Sequence, residues 1–303
     1  MTTNTDTNLP VYILGKTALG LYLAHKLSGV GENPVIITPP ADNEISHQEI
    51  TIKEENAFKK HKFIYKSAPY TFGKAKLLII TSEVNRLKSE LLLVSQRNMA
   101  TTPCVIFSDD KNTDIAQNII GQPLIHAWFN GWLTKEDDTI TLLGNETNIV
   151  LHKNYHNLEN CLAALSILNR TGINTNSTED NNQIYWKHFS TNIICTMLTA
   201  KEQQNITQIC KNKEKRHLIN ILAEEISSLA LFYHTQLSAE EICKNIYSLP
   251  PHYSFNTQKL DSQAISKLNH YYHNLITRIT DSKLQLPQLN TLMKEIYLRI
   301  NPF

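Results

Sequence analysis

The chain has 303 residues, 29 Lys and Arg against 28 Asp and Glu, and 41% hydrophobic residues, enough for two domains with separate cores. The balanced charge leaves no basic footprint for nucleic acid and no acidic field for cationic partners. The longest apolar runs, such as AKLLII and ELLLV, are too short to span a bilayer.

The N-terminal MTTNTDTNLP has neither the basic nor the apolar part of a signal peptide. The five cysteines (104, 161, 195, 210, 243) form no CxxC pair and are odd in number, which points to reduced thiols in a cytoplasmic protein. VYIL (11–14), PVIIT (34–38), KLLIIT (76–81) and PCVIF (103–107) are short and rich in Val, Ile and Leu, as buried parallel strands are. Between the last two, NRLKSELLLVSQRN has helical spacing. Strands alternating with helices predict a doubly wound sheet. TITLLG and TNIVLHK (139–153) alternate, and predict a hairpin near the sheet edge.

NLENCLAALSILNRTG reads as a helix closed by Gly172, and the polar INTNSTEDNNQ after it as a domain boundary. Helical patterns follow. RHLINILAEEISSLALFYH carries an apolar stripe, LSAEEICKNIYSL opens with a capping box of Ser238 and Glu241, and AISKLNHYYHNLITRI repeats the stripe. The expected fold is α/β: an N-terminal Rossmann-like parallel-sheet domain over residues 1–175, then an all-helical domain over 176–303.

LGKTALG (14–20) follows the first strand. It is no phosphate loop, because the glycine needed five residues before Gly15 is Pro10. Its position suits a dinucleotide loop, with Gly15 making the turn and Gly20 allowing close packing of helix on strand. Thr17 stands where the middle glycine lets the backbone approach the pyrophosphate. Gly15, Thr17, Ala18 and Gly20 are the candidate cofactor-binding residues. VIITPPADN, after the second strand, offers no acid before Asp42 and no arginine, so the sequence leaves NAD and NADP open.

IYWKHFSTNIICTMLTA (184–200) resembles the interdomain helix of ketopantoate reductases (2-dehydropantoate 2-reductases). LGKTALG is similar to that family's LGxGALG; TTPCVIFSDDKNT falls at its strand with an asparagine-glycine turn, and QPLIHAW where its sheet continues. The resemblance spans nearly the whole chain. It implies NADPH-dependent reduction of a small 2-oxo acid or related carbonyl. A lysine near the tryptophan gives the proton, and Asn, Ser and a glutamate hold the substrate.

Residue by residue, Trp186 and Asn192 are retained, while the second asparagine has become Thr196. The proton donor's place, four residues before the first asparagine, holds His188, with Lys187 one residue away. One residue rotates a helical side chain by about 100°, so His188 and Asn192 share a face and Lys187 points elsewhere. The loop asparagine aligns with Asp109, the cofactor-side lysine with Glu83, the substrate serine with Ser254, and the glutamate with Lys267, Asp261 being close by. The candidate catalytic set is therefore His188, Lys187 and Asn192, and the candidate substrate set Asp109, Thr196, Ser254 and Lys267. These departures leave a second reading: a catalytically degenerate homologue that binds or regulates.

HKNYH (His152, His156) and HYYH (His270, His273) lack the carboxylates or cysteines of a metal site, and no GxSxG elbow is present. No metal, nucleic acid or membrane partner is expected, and NHYYHNL suits helix packing or a homodimer surface.

Overall fold

The computed structural model describes residues 9–38, 46–54, 59–69, 74–82, 84–95, 102–107, 116–121, 123–250, 260 and 262–300. The chain divides into two units, Met1–Asp180 and Asn181–Phe303.

In the first unit, β1 (Val11–Leu14) is fully buried and pairs in parallel with β2 (Pro34–Thr38) and β5 (Leu77–Ile80). β6 (Cys104–Ile106) extends the parallel set. Each strand is apolar at consecutive positions because both faces are covered. Val11, Ile13, Leu77, Ile79 and Val105 face one core, shared with α1 (Ala18–Ser28) and α3 (Leu158–Asn169). Tyr12, Leu14, Leu78, Ile80 and Ile106 face the other, with α2 (Val84–Ser95) and a helical segment at 116–120.

The sheet is mixed rather than purely parallel. β3 (Ser46–Glu54) and β4 (Lys59–Pro69) form an antiparallel ribbon beyond β2. β7 (Ile125–Glu136) pairs with β6 in parallel and with β8 (Thr139–His152) antiparallel. Residues 139–152 are thus one strand, not the expected hairpin; the hairpin partner is β7. The period-2 alternation that suggested two strands runs through Gly144 without a turn, and the turn falls instead at Asp137, whose φ is 49°. β3 also pairs with the first half of β8, which closes the strands into a ring. Leu21, Leu23 and Leu27 of α1 lie in the cluster that Ile50, Ile52, Ile140 and Leu142 of that ring complete. A helix covered so widely must be apolar nearly all round, as ALGLYLAHKLS is.

The polar stretch expected to be a boundary contains β9 (Asn174–Thr178), parallel to the second half of β8. Only Thr175 of that strand is buried, so no apolar alternation betrays it.

The second unit is helical: α4 (Asn181–Glu202), α5 (Ile206–Lys211), α6 (Lys213–Phe232), α7 (Ala239–Tyr247), α8 (Ser262–Ser282) and α9 (Pro287–Ile300). α4 touches all the others, and it is buried without interruption from Ile193 to Ala200. The capping box of Ser238 and Glu241 opens α7. Glu225 of α6 accepts the amides of Gln288 and Leu289 at 2.9 and 2.7 Å, closing the N-terminus of α9 on α6.

Candidate functional site

The glycine turn sits where β1 ends and α1 begins. Gly15 has φ +105°, a conformation L side chains rarely adopt, and a Cβ there would meet the Ser82 amide at 2.7 Å. A Cβ on Gly20 would lie 2.4 Å from the Gly15 carbonyl oxygen and 2.6 Å from Thr81 Oγ1. Both glycines are therefore required by close approach, as helix and strand pack without a spacer.

Thr17 is the N-cap of α1. Its Oγ1 accepts the Gly20 amide at 3.1 Å and donates to Thr81 Oγ1 at 3.0 Å; Thr81 in turn donates to the Gly15 carbonyl at 3.1 Å. The relay ties the turn to the end of β5. The Ala18 and Leu19 amides, among the described residues, have no acceptor, and the first turn of α1 carries no acidic residue. A helix N-terminus with open amides after a glycine turn suits a pyrophosphate, so the residues present fit a dinucleotide, with one amide fewer to offer because Thr17 occupies it. Beside the turn, Ser82 donates a short hydrogen bond to the buried Glu90 carboxylate.

In the second unit, α4 brings His188, Asn192 and Thr196 onto one face at four-residue spacing. Thr196 is fully buried, and His188 and Asn192 are half-buried. His188 Nε2 is sealed from solvent and has no hydrogen-bond partner. Burial, with a smaller contribution from the Lys187 charge, pushes the imidazole down to about 4. At neutral pH His188 is therefore uncharged. Lys187 is exposed, as the one-residue rotation requires; its carbonyl accepts the hydroxyls of Ser190 and Thr191, each at 3.1 Å.

Trp186 is 1% exposed, packed edge-to-face on Phe189 and tilted against Tyr233. Arg278 of α8 lies over this cluster. Sequence reasoning missed Thr81, whose hydroxyl gives no local signal, and Arg278, which meets its rings across some ninety residues of chain. Lys267 lies in α8. Asp42, Glu83, Asp109, Ser254 and Asp261 lie outside the described residues. Among the described residues no three His, Cys, Asp or Glu side chains gather as metal ligands, and no helix is long and apolar enough to cross a membrane.

No protein-family model matches the sequence, and no curated protein sequence matches it either. Solved structures do match over nearly the full length. A D-mandelate dehydrogenase, solved as a ternary structure with NADH and anilino(oxo)acetate, aligns with TM-score 0.80 at 13% identity, covering 96% of this chain and 98% of that one. The 2-dehydropantoate 2-reductase of Geobacter metallireducens GS-15 aligns with TM-score 0.76 at 15% identity, covering 96% and 100%. The dimeric ketopantoate reductase of Staphylococcus aureus aligns with TM-score 0.74 at 15% identity, covering 95% and 98%. The chain therefore has the ketopantoate-reductase fold, a Rossmann-like domain followed by a helical one.

Proposed function

We propose that this chain is a nicotinamide-dependent reductase of a small 2-oxo acid or related carbonyl. The observation that carries the reading is the relay from the Gly20 amide through Thr17 and Thr81 to the Gly15 carbonyl. It holds a tight glycine turn below the open Ala18 and Leu19 amides. The solved structures of the same fold support it, since one holds NADH and others are named 2-dehydropantoate 2-reductases.

Gly15, Thr17, Ala18 and Gly20 form the turn for the pyrophosphate, and NADPH is the first cofactor to test. The bound nicotinamide supplies the hydride. Asn192 and His188 orient the carbonyl, and the His188 imidazole gives the proton to the carbonyl oxygen. With its pKa near 4, His188 must first take a proton from solvent, and an anionic substrate beside it favours that protonation. Asp109, Thr196, Ser254 and Lys267 complete the proposed substrate set. The protein is proposed to work in the cytoplasm, as a homodimer.

One observation favours the second reading, a non-catalytic homologue: His188 is uncharged at neutral pH, so the ground state holds no ready acid. Following nicotinamide oxidation with a panel of 2-oxo acids decides between them. Turnover that disappears in Gly15→Val supports the reductase; a saturated cofactor complex that reduces none of the panel supports the binding protein.

A further inference from the structure

We infer that Arg278 is the anchor for a substrate carboxylate, held in place by an aromatic corner on α4 and α6. Tyr185 and Phe189 are stacked, with ring centroids 5.3 Å apart and planes 17° apart, and form one wall. Trp186 and Tyr233 form the other, 5.6 Å apart. The walls meet at right angles, Trp186 and Phe189 being edge-to-face at 90°. The Arg278 guanidinium carbon lies 4.8 Å from the Tyr185 ring centre, 5.2 Å from Trp186, 5.1 Å from Tyr233 and 5.7 Å from Phe189.

Three half-buried lysines have carboxylate partners: Lys26 with Glu54 at 2.6 Å, Lys76 with Glu32 at 2.9 Å, Lys201 with Glu295 at 2.8 Å. Arg278 has none among the described residues. Asp281, one turn along α8, makes no ion pair with it. No described acceptor takes a hydrogen bond from its guanidinium.

A guanidinium laid against rings keeps its in-plane N–H fork available, and that fork matches a carboxylate. The corner fixes the plane beforehand, so little side-chain freedom is lost when an anion arrives. Tyr185, Phe189 and Asn192 follow one another at helical spacing, which puts the guanidinium beside the stripe that carries Asn192 and Thr196. A ligand gripped there by its carboxylate presents an adjacent carbonyl toward Asn192 and His188. The ligand class is accordingly a carboxylate with an adjacent carbonyl, and not a neutral carbonyl compound. The carbonyl chemistry rests on the reductase reading above; the anion site does not.

The test is a calorimetric titration with oxamate, which mimics a 2-oxo acid, and with its neutral counterpart oxamide, with and without NADPH. The wild type is expected to prefer oxamate, and Arg278→Met to weaken oxamate binding by about 10- to 100-fold with oxamide unchanged. Arg278→Lys, which keeps the charge but not the fork, should fall between; it decides the matter if the Met variant does not fold. Equal affinity of the wild type for both probes, or oxamate binding indifferent to these substitutions, overturns the assignment. Arg278-dependent oxamate binding without any reduction leaves the anion site standing and removes the reductase reading. Reduction of 2-oxo acids unaffected by Arg278→Met does the reverse.

Discussion

The Thr17 hydroxyl bridges two elements, accepting the Gly20 amide at 3.1 Å and donating to Thr81 Oγ1 at 3.0 Å. At the position where the motif's middle glycine would open the loop, the chain has a residue that caps α1 and ties the turn to the end of β5. Thr17→Val keeps the branched shape and removes both bonds. It is expected to cost about 1–2 kcal/mol in urea unfolding and to weaken dinucleotide binding, while Thr17→Ser retains both properties. A Val variant as stable as the wild type would show that the relay contributes nothing.

His188 makes folding sensitive to acid. Its folded pKa lies near 4, below the ordinary value of 6.5, so between those values the unfolded chain binds more protons. Stability therefore falls as pH drops from about 6.5 towards 4, by about 3 kcal/mol at the lower end. Burial lowers His25 too and bends the profile the same way, so the measurement is a difference. Unfolding free energies at pH 7 and pH 4.5 should differ less in His188→Gln than in the wild type; equal slopes would contradict the buried, unpartnered imidazole.

The same imidazole sets the expected pH dependence of turnover. If His188 gives the proton, kcat/KM for carbonyl reduction falls about tenfold per pH unit above pH 5, following the protonated fraction. His188→Gln should remove most of the turnover and flatten that slope, and the exposed Lys187→Ala should change little. Turnover lost in Lys187→Ala and kept in His188→Gln would reverse the two roles.

Much of the fold was legible because its signals are local. β1, β2, β5 and β6 announce themselves as apolar runs, since a parallel strand buried on both faces has no polar positions. β3 and β4 were missed because Lys, Glu and His crowd HQEITIKE and KKHKFIYK; among the described side chains Ile50, Ile52 and Phe63 are buried. β9 was missed because NTNST is held by β8 and not by burial. In the site, the shared face of His188, Asn192 and Thr196 follows from helical spacing alone. The sealing of His188 Nε2 and the aromatic corner around Arg278 do not, because both depend on which helices pack against α4.

Glu32 offers a control away from the proposed chemistry. Its carboxylate, 8% exposed as a residue, meets Lys76 at 2.9 Å and Arg170 at the end of α3, at the N-terminal end of β2 and β5, whereas the glycine turn follows the C-terminal end of β1. Glu32→Gln leaves two cations without their partner and should destabilise the protein by about 3 kcal/mol. Thermal unfolding checks this, and the affinity for dinucleotide should be unchanged in the folded variant.

The β1–α1 turn is proposed to hold a nicotinamide dinucleotide, and titration of the purified protein with NADPH and with NADH, followed by nicotinamide fluorescence, measures this. Saturable binding of at least one of the two, abolished in Gly15→Val, is the expected result. Binding of neither at high micromolar concentration would overturn the dinucleotide site.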